Sequence, residues 1–173
     1  VKATASPDIS YRIAALKIAQ KYITPATTAL WLKALPTSKP QSQAEIIEML
    51  GRVEAKTALP TILKNISHKE GIVRAAAIKA AAKMGQESVL GNLLSAAKKG
   101  TSEDISAVKN ALLMMKGEGV VNQVAAAIPT MPATAQPALI EVLAARGADA
   151  HLDVILAQLK NNDSAVKSAA FAA

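Results

Sequence analysis

One stretch limits what this chain can become: Gly71-Ile-Val-Arg-Ala-Ala-Ala-Ile-Lys-Ala-Ala-Ala-Lys-Met-Gly85. It has no internal breaker, is dominated by the best helix former, and ends on a Gly suited to the left-handed position past a helix end. At 100° per residue Val73, Ala76, Ala77, Ala80, Ala81 and Met84 fall on one arc, with Lys79 and Lys83 outside it. A face built mostly of Ala is thin. A neighbouring helix can approach it closely, but the helix cannot bury enough surface to stand alone.

The pattern recurs. Glycines following helical apolar runs stand at Gly51, Gly85, Gly117 and Gly147, in steps of 34, 32 and 30 residues. Five residues before each stand Ile46, Ala80, Leu112 and Val142, and four before stand Ile47, Ala81, Leu113 and Leu143. Two further copies match around Val73-Arg74: Tyr11-Arg12, 62 residues earlier, and Val166-Lys167, 93 later. After each Gly comes a second helix with larger apolar residues, such as Leu59/Ile62/Leu63, Leu90/Leu93/Leu94, Val121/Val124/Ile128 and Leu152/Ile155/Leu156/Leu159. Large residues against small ones let helices interdigitate at short distance. Fixed spacing of this size marks a stacked array of helical hairpins.

Expected helices lie at about 6–22, 25–35, 42–50, 56–66, 70–84, 87–98, 102–116, 118–129, 133–146 and 149–160, with a last one from about 163. Ser6, with Pro7 behind it, is the expected first cap, Ser102, Asp149 and Asn162-Asp163 cap three later helices, and Pro36–Ser42 is the clearest loop. No strand-length alternation occurs, so no sheet is expected.

Ala58-Leu-Pro-Thr-Ile-Leu63, a short turn, then Val73-Arg-Ala-Ala-Ala-Ile-Lys-Ala-Ala82 and Met84-Gly85 resembles a HEAT repeat of the short, phycobilisome-lyase-like type. The resemblance covers nearly the whole chain. It implies an all-α fold, a right-handed α–α superhelix (HEAT/armadillo-type solenoid) of about eleven helices and about five repeats in one array spanning 1–173. The position of Arg74 is held by Pro40, Ser106 and Gln136 in the middle copies, so a ladder along it is broken. The last copy would place its Gly five residues past Ala173, which suggests a segment cut from a longer protein.

Composition narrows the function. With 51% hydrophobic residues, 19% charged and no Cys, the chain is globular and free of disulfide or thiol chemistry. No apolar run is long enough to span a membrane. His68 and His151 lie 83 residues apart without companions at ligand spacing, and no phosphate loop, nucleophile elbow or zinc-protease motif occurs. Glu45/Glu48 and Glu103/Asp104 read as solvated or helix-dipole carboxylates, and Trp31, among leucines, reads as core. No catalytic, metal or cofactor residues are assigned.

In HEAT-like arrays the second helix of each hairpin lines the concave side, and by resemblance that helix here is the Ala-rich one preceding each Gly. The resemblance therefore puts a ridge there at six and two residues before each reference Gly: Lys17/Lys21, Glu45/Met49, Lys79/Lys83, Ala111/Met115 and Glu141/Ala145. Its charge runs plus, minus, plus, neutral, minus. Tracking phosphates takes successive cations with aromatics for base stacking, and aromatics are 2% of this chain. The ridge suits a protein or peptide partner, with Met49 and Met115 as exposed, adaptable contacts. The expectation is a non-enzymatic interaction scaffold working beside other domains of a parent chain. The net charge of +7 keeps a nucleic-acid scaffold as an alternative. A bilin lyase or DNA glycosylase of HEAT type is the enzymatic alternative. The Ala/Thr/Gln-rich, Cys-free texture resembles that of certain exported bacterial proteins with HEAT-like arrays, and that resemblance implies an exported or periplasmic location over a cytoplasmic one.

Overall fold

The computed structural model describes residues 2–147 and 149–173. Helix starts follow local chemistry. α1 (Ile9–Ala19) begins at Asp8, whose carboxylate accepts from the amides of Ser10 at 2.8 Å and Tyr11 at 3.1 Å. α2 (Pro25–Ala34) opens with a reciprocal capping box between Thr24 and Thr27 and with Pro25 at its first position. α3 (Pro40–Arg52), α4 (Leu59–Asn65) and α5 (Gly71–Gly85) follow, then α6 (Leu90–Lys99) and α7 (Ser102–Met114). The chain continues with α8 (Glu118–Ala127), α9 (Gln136–Ala145), α10 (Leu152–Gln158) and α11 (Ser164–Ala172). Short 3-10 turns lead into or out of several of them, and no strand occurs among the described residues.

Several expectations shift. Ser6 does not cap α1; its hydroxyl accepts the amide of Asp8, and the helix starts two residues later. The expected loop 36–42 shrinks, because Pro40 tolerates the first helical position and α3 starts there. Thr101 rather than Ser102 caps α7, in a box with Asp104. Asp149 caps nothing; a 3-10 turn over Asp149–His151 enters α10 without a side-chain cap. Asp163 caps α11 as expected.

The chain divides into two compact units, Val1–Gly85 and Gln86–Ala173. In the first, α1, α3 and α5 pack side by side, α4 lies against α5, and α2 meets the turn that leads into α4. In the second, α7, α9 and α11 form the corresponding row, with α6 on α7 and α8, α8 on α9 and α10 on α11. Each unit is thus a stack of helical hairpins.

The thin faces pack as their composition demands. Val73, Ala76, Ala77, Ala80, Ala81 and Met84 are all buried in α5. Opposite them Gly51 sits inside α3 and not beyond its end; a Cβ added there would come within 2.5 Å of the Ala80 Cβ. Its role is close approach, not chain reversal. Positive φ falls instead at Glu54, Gln86, Gly117 and Gly147. Bulk is supplied by fully buried Ile46, Ile47, Leu50 and Ile62 in the first unit and by Leu90, Leu93, Leu112, Ile128, Leu139 and Ile140 in the second. Trp31 is core, 8% exposed.

The terminal stripe of the first row is different. Tyr11, Ile18 and Tyr22 correspond, 62 residues on, to Val73, Ala80 and Met84. The later three are buried, whereas Tyr11, Ile18 and Tyr22 are 56%, 62% and 69% exposed.

Candidate functional site

The charged residues of the inner rows serve two purposes, and the first is to join repeats. Arg12 of α1 is 6% exposed, and its guanidinium donates to both oxygens of Glu45 on α3, at 3.0 and 2.9 Å. Its Nη1 donates to the carbonyls of Ser6 and Pro7. Burying a cation is costly unless its donors are met, and here they are. The Arg12 hydrogen bonds hold the Glu45 carboxyl below its ordinary range against the opposing effect of desolvation, with Gln41 also donating. Glu45 in turn raises the Arg12 pKa.

Arg74 repeats part of this. Its Nη1 donates to the carbonyls of His68 and Lys69, six and five residues upstream, the same offsets as Ser6 and Pro7 from Arg12. Gln136 stands at that repeat position in α9, and its amide donates to the carbonyls of Ile128 and Met131. At Arg12, Arg74 and Gln136 the position clamps the preceding loop, and at Arg12 it also ties α1 to α3.

Further links between repeats come from other positions. Lys83 Nζ donates to the Arg52 carbonyl at 2.9 Å, completing the end of α3. Arg146 donates to the carbonyls of Leu112, Met115 and Gly117, gathering the end of α7. Lys109 pairs with Glu141 at 2.7 Å. The Gly119 amide donates to Glu87, so a carboxylate from the loop before α6 sits at the start of α8. His151 and Asn122 share a hydrogen bond of 2.8 Å. The partners in these links are 29 to 34 residues apart, one repeat period. Cations at helix C-termini and an anion at an N-terminus also complement the helix dipoles.

The second purpose concerns the open face of α1, α3 and α5. Two adjoining depressions cross it. One, of about 260 Å³, is lined by Ile13, Leu16, Lys17, Gln20, Gln41, Glu45, Glu48, Met49 and Arg52. The other, of about 210 Å³, is lined by Glu48, Gly51, Arg52, Ala76, Lys79, Ala80 and Lys83. Glu48 and Arg52 belong to both, so the face carries one shallow groove with a small-residue floor at the α3–α5 seam.

The expected ridge is brought together only in part. Lys17, Lys79 and Lys83 line the groove and are exposed. Lys21 is exposed beyond α1, on a 3-10 turn, and does not line it. Glu45 faces the groove but is bound to Arg12. Glu141, in the second unit, is bound to Lys109, and Ala145 beside it is exposed. Met49 is corrected: it is 1% exposed, turned into the floor among Ile13 and Leu16. Met115 is corrected too, at 6%, because α7 ends at Met114 and the backbone extends at Met115, carrying it inward. Ala111 is likewise buried, and Met114 is the exposed residue. Glu48 and Arg52 were missed; at three before and one after Gly51, they lie off the positions sampled.

The remaining titratable residues are dispersed. His68 Nδ1 accepts the amide of Glu70, a turn within its own loop. Glu103 is held below its ordinary range by hydrogen bonding to Thr101 and its own first-turn amide. No group of three or more His, Cys, Asp or Glu that could hold a metal occurs among the described residues. No described helix is long and apolar enough to cross a membrane.

Stacked helical hairpins, tied at one-period spacing and with a small-residue seam between their inner helices, define an α-helical repeat array. A family model for HEAT repeats matches residues 28–112, and the chain is a HEAT-like repeat protein with an all-α fold of that type. No curated protein sequence matches it. Among solved structures it is similar to human deoxyhypusine hydroxylase in complex with glycerol, with a TM-score of 0.47 and 15% identity over 99% of this chain and 92% of that one. Likeness of that degree says nothing of activity.

Proposed function

We propose that this chain is a non-enzymatic interaction scaffold whose α1–α3–α5 face docks a protein or peptide segment. The observation that carries this reading is the continuous groove over three helices, floored by Gly51, Ala76 and Ala80 and rimmed by Lys17, Glu48, Arg52, Lys79 and Lys83. A shallow, elongated depression with small residues beneath it admits a peptide backbone. Neither part, at about 210 and 260 Å³, reaches the roughly 300–1,000 Å³ of typical small-molecule sites. The other charged groups of the inner rows support the same reading, since Arg12, Glu45, Arg146, Lys109 and Glu141 are committed to holding the array together. Rigid presentation of a face is what a scaffold needs, and fold alone would not choose among functions.

Panning a random peptide library on the whole chain tests the proposal. Selected peptides are expected to slow amide hydrogen exchange along α1, α3 and α5. Failure to select any binder, or protection confined to other helices, would overturn it.

A further inference from the structure

Resting on the scaffold reading, we infer that the groove takes an acidic, extended peptide segment, with carboxylates held by Lys17, Arg52, Lys79 and Lys83. The charge balance of the lining carries this. Lys17, Arg52 and Lys79 make no ion pair among the described residues, and Lys83 spends one donor on the Arg52 carbonyl and keeps others. Against these four cations stand two acids. Glu45 is already neutralised by a bidentate Arg12, so Glu48 alone remains. In the second unit the half-buried Lys109 is answered by Glu141 across adjacent helices. In the groove of the first unit Glu48 alone among the described lining residues stands against the four cations, and a partner's carboxylates would answer the rest.

The geometry favours a peptide over a polynucleotide. Lys79 and Lys83, like Glu48 and Arg52, are one helical turn apart, about 6 Å along the axis. That spacing matches alternate side chains of an extended strand, about 6.8 Å apart. Gly51, Ala76 and Ala80 leave room for a main chain to lie close over the seam. Glu48 sits where the two depressions join. There it can accept a peptide N–H, whereas it would repel a phosphate backbone. No aromatic residue lines either depression, so bases would find nothing to stack on.

Fluorescence anisotropy with the full chain near 0.15 M salt tests this against the library result. The probes are a labelled Glu-Ala-Glu-Ala-Glu-Ala-Glu-Ala peptide, its Gln and Lys counterparts, and a single-stranded oligonucleotide of eight bases. Only the Glu peptide is expected to bind. Lys79→Glu/Lys83→Glu should weaken it by roughly tenfold or more, as loss of desolvated charge pairs does at interfaces. Lys98→Glu/Lys99→Glu on α6, remote in sequence and equally exposed, should leave it within about twofold. Circular dichroism confirms that both variants fold. Equal binding of the Gln peptide, or indifference to the Lys79/Lys83 reversal, would overturn the acidic inference while library binders kept the scaffold reading standing. Tighter binding of the oligonucleotide would overturn it in favour of nucleic acid. Binding by none of these probes would overturn it too, and only an empty library selection would remove the scaffold reading with it.

Discussion

Gly51 and Ala80 meet at the seam of α3 and α5 with no space for one more carbon: a Cβ on Gly51 would lie 2.5 Å from that of Ala80 and 2.8 Å from its Cα. Both obstacles belong to a helix backbone or sit one bond from it, so a rotamer change cannot relieve the contact. Gly51→Ala should therefore destabilise by about 1–3 kcal/mol through overpacking, outweighing a propensity gain of about 0.5–1 kcal/mol. Ala80→Phe should cost at least as much. Gly91 in α6 has nothing within 4 Å of its added Cβ, so Gly91→Ala should be neutral or gain up to about 1 kcal/mol. Urea midpoints of the three variants measure this; a Gly51→Ala midpoint at or above the parent's would place the seam elsewhere.

Acid should weaken the joint between α1 and α3. The Glu45 carboxyl, held low chiefly by the Arg12 hydrogen bonds, has a folded pKa below its unfolded value near 4.5. A depressed carboxyl contributes stability above the unfolded pKa, and that contribution is lost as pH falls through the folded one. Stability should drop as pH descends below about 4.5, and Glu45→Gln should flatten that part of the profile while lowering stability at pH 7. Thermal melts of both proteins between pH 2 and 7 read the difference; parallel curves would refute it.

Two cations that each serve the end of a neighbouring helix should differ in weight. Arg146 serves three carbonyls at the end of α7, two of them beyond the last helical residue, while Lys83 serves one at the end of α3. Arg146→Ala should cost about 1.5–3 kcal/mol, as loss of charge-assisted bonds does. Lys83→Ala should cost about 0.3–1 kcal/mol, the range for an exposed cation at a helix C-terminus. Denaturation midpoints that rank the two the other way would contradict this.

Helix α8 should depend on a residue one period upstream. Its first flanking residue, Gly117, has no side chain to cap with, and the Gly119 amide is met by Glu87 instead. Glu87→Ala should lose about 0.5–2 kcal/mol, the worth of an N-cap. Gly117→Ala should also destabilise, because its φ of 101° strains any L side chain. Faster amide exchange at Gly119 and Val120 in Glu87→Ala is the local readout. Unchanged protection there would remove Glu87 from that role.

The repeat and its thin face were legible because packing is written in residue size at fixed intervals: Ala76, Ala77, Ala80 and Ala81 are all buried, whereas Gly51, read as following a helix, lies inside α3 against Ala80. The recurrence of Arg12 at Arg74 was likewise readable, and both residues clamp their own preceding loop. Rotation within a repeat was less readable. The offset from Gly that leaves Lys83 exposed buries Met49, which has α1 alongside it. Counting back from Gly117 failed for Met115 because the helix stops at Met114 and the count does not. Glu48 and Arg52 escaped notice because the groove is set by two seams meeting, a property of three helices that no single helical period encodes.

The open stripe along α1 and the 3-10 turn that follows it has a thermal consequence. Val73, Ala80 and Met84 are sealed in α5, whereas Tyr11, Ile18 and Tyr22 present the same positions to solvent. In a one-dimensional stack each unit draws much of its stability from its neighbours. A helix with one such flank unsealed should loosen at lower energy than the helices behind it. Within the first unit, melting should therefore travel, with α1 opening while α3 and α5 still hold. The Lys17 side of the groove is then the part that can yield, and the Lys79 side the part that stays rigid.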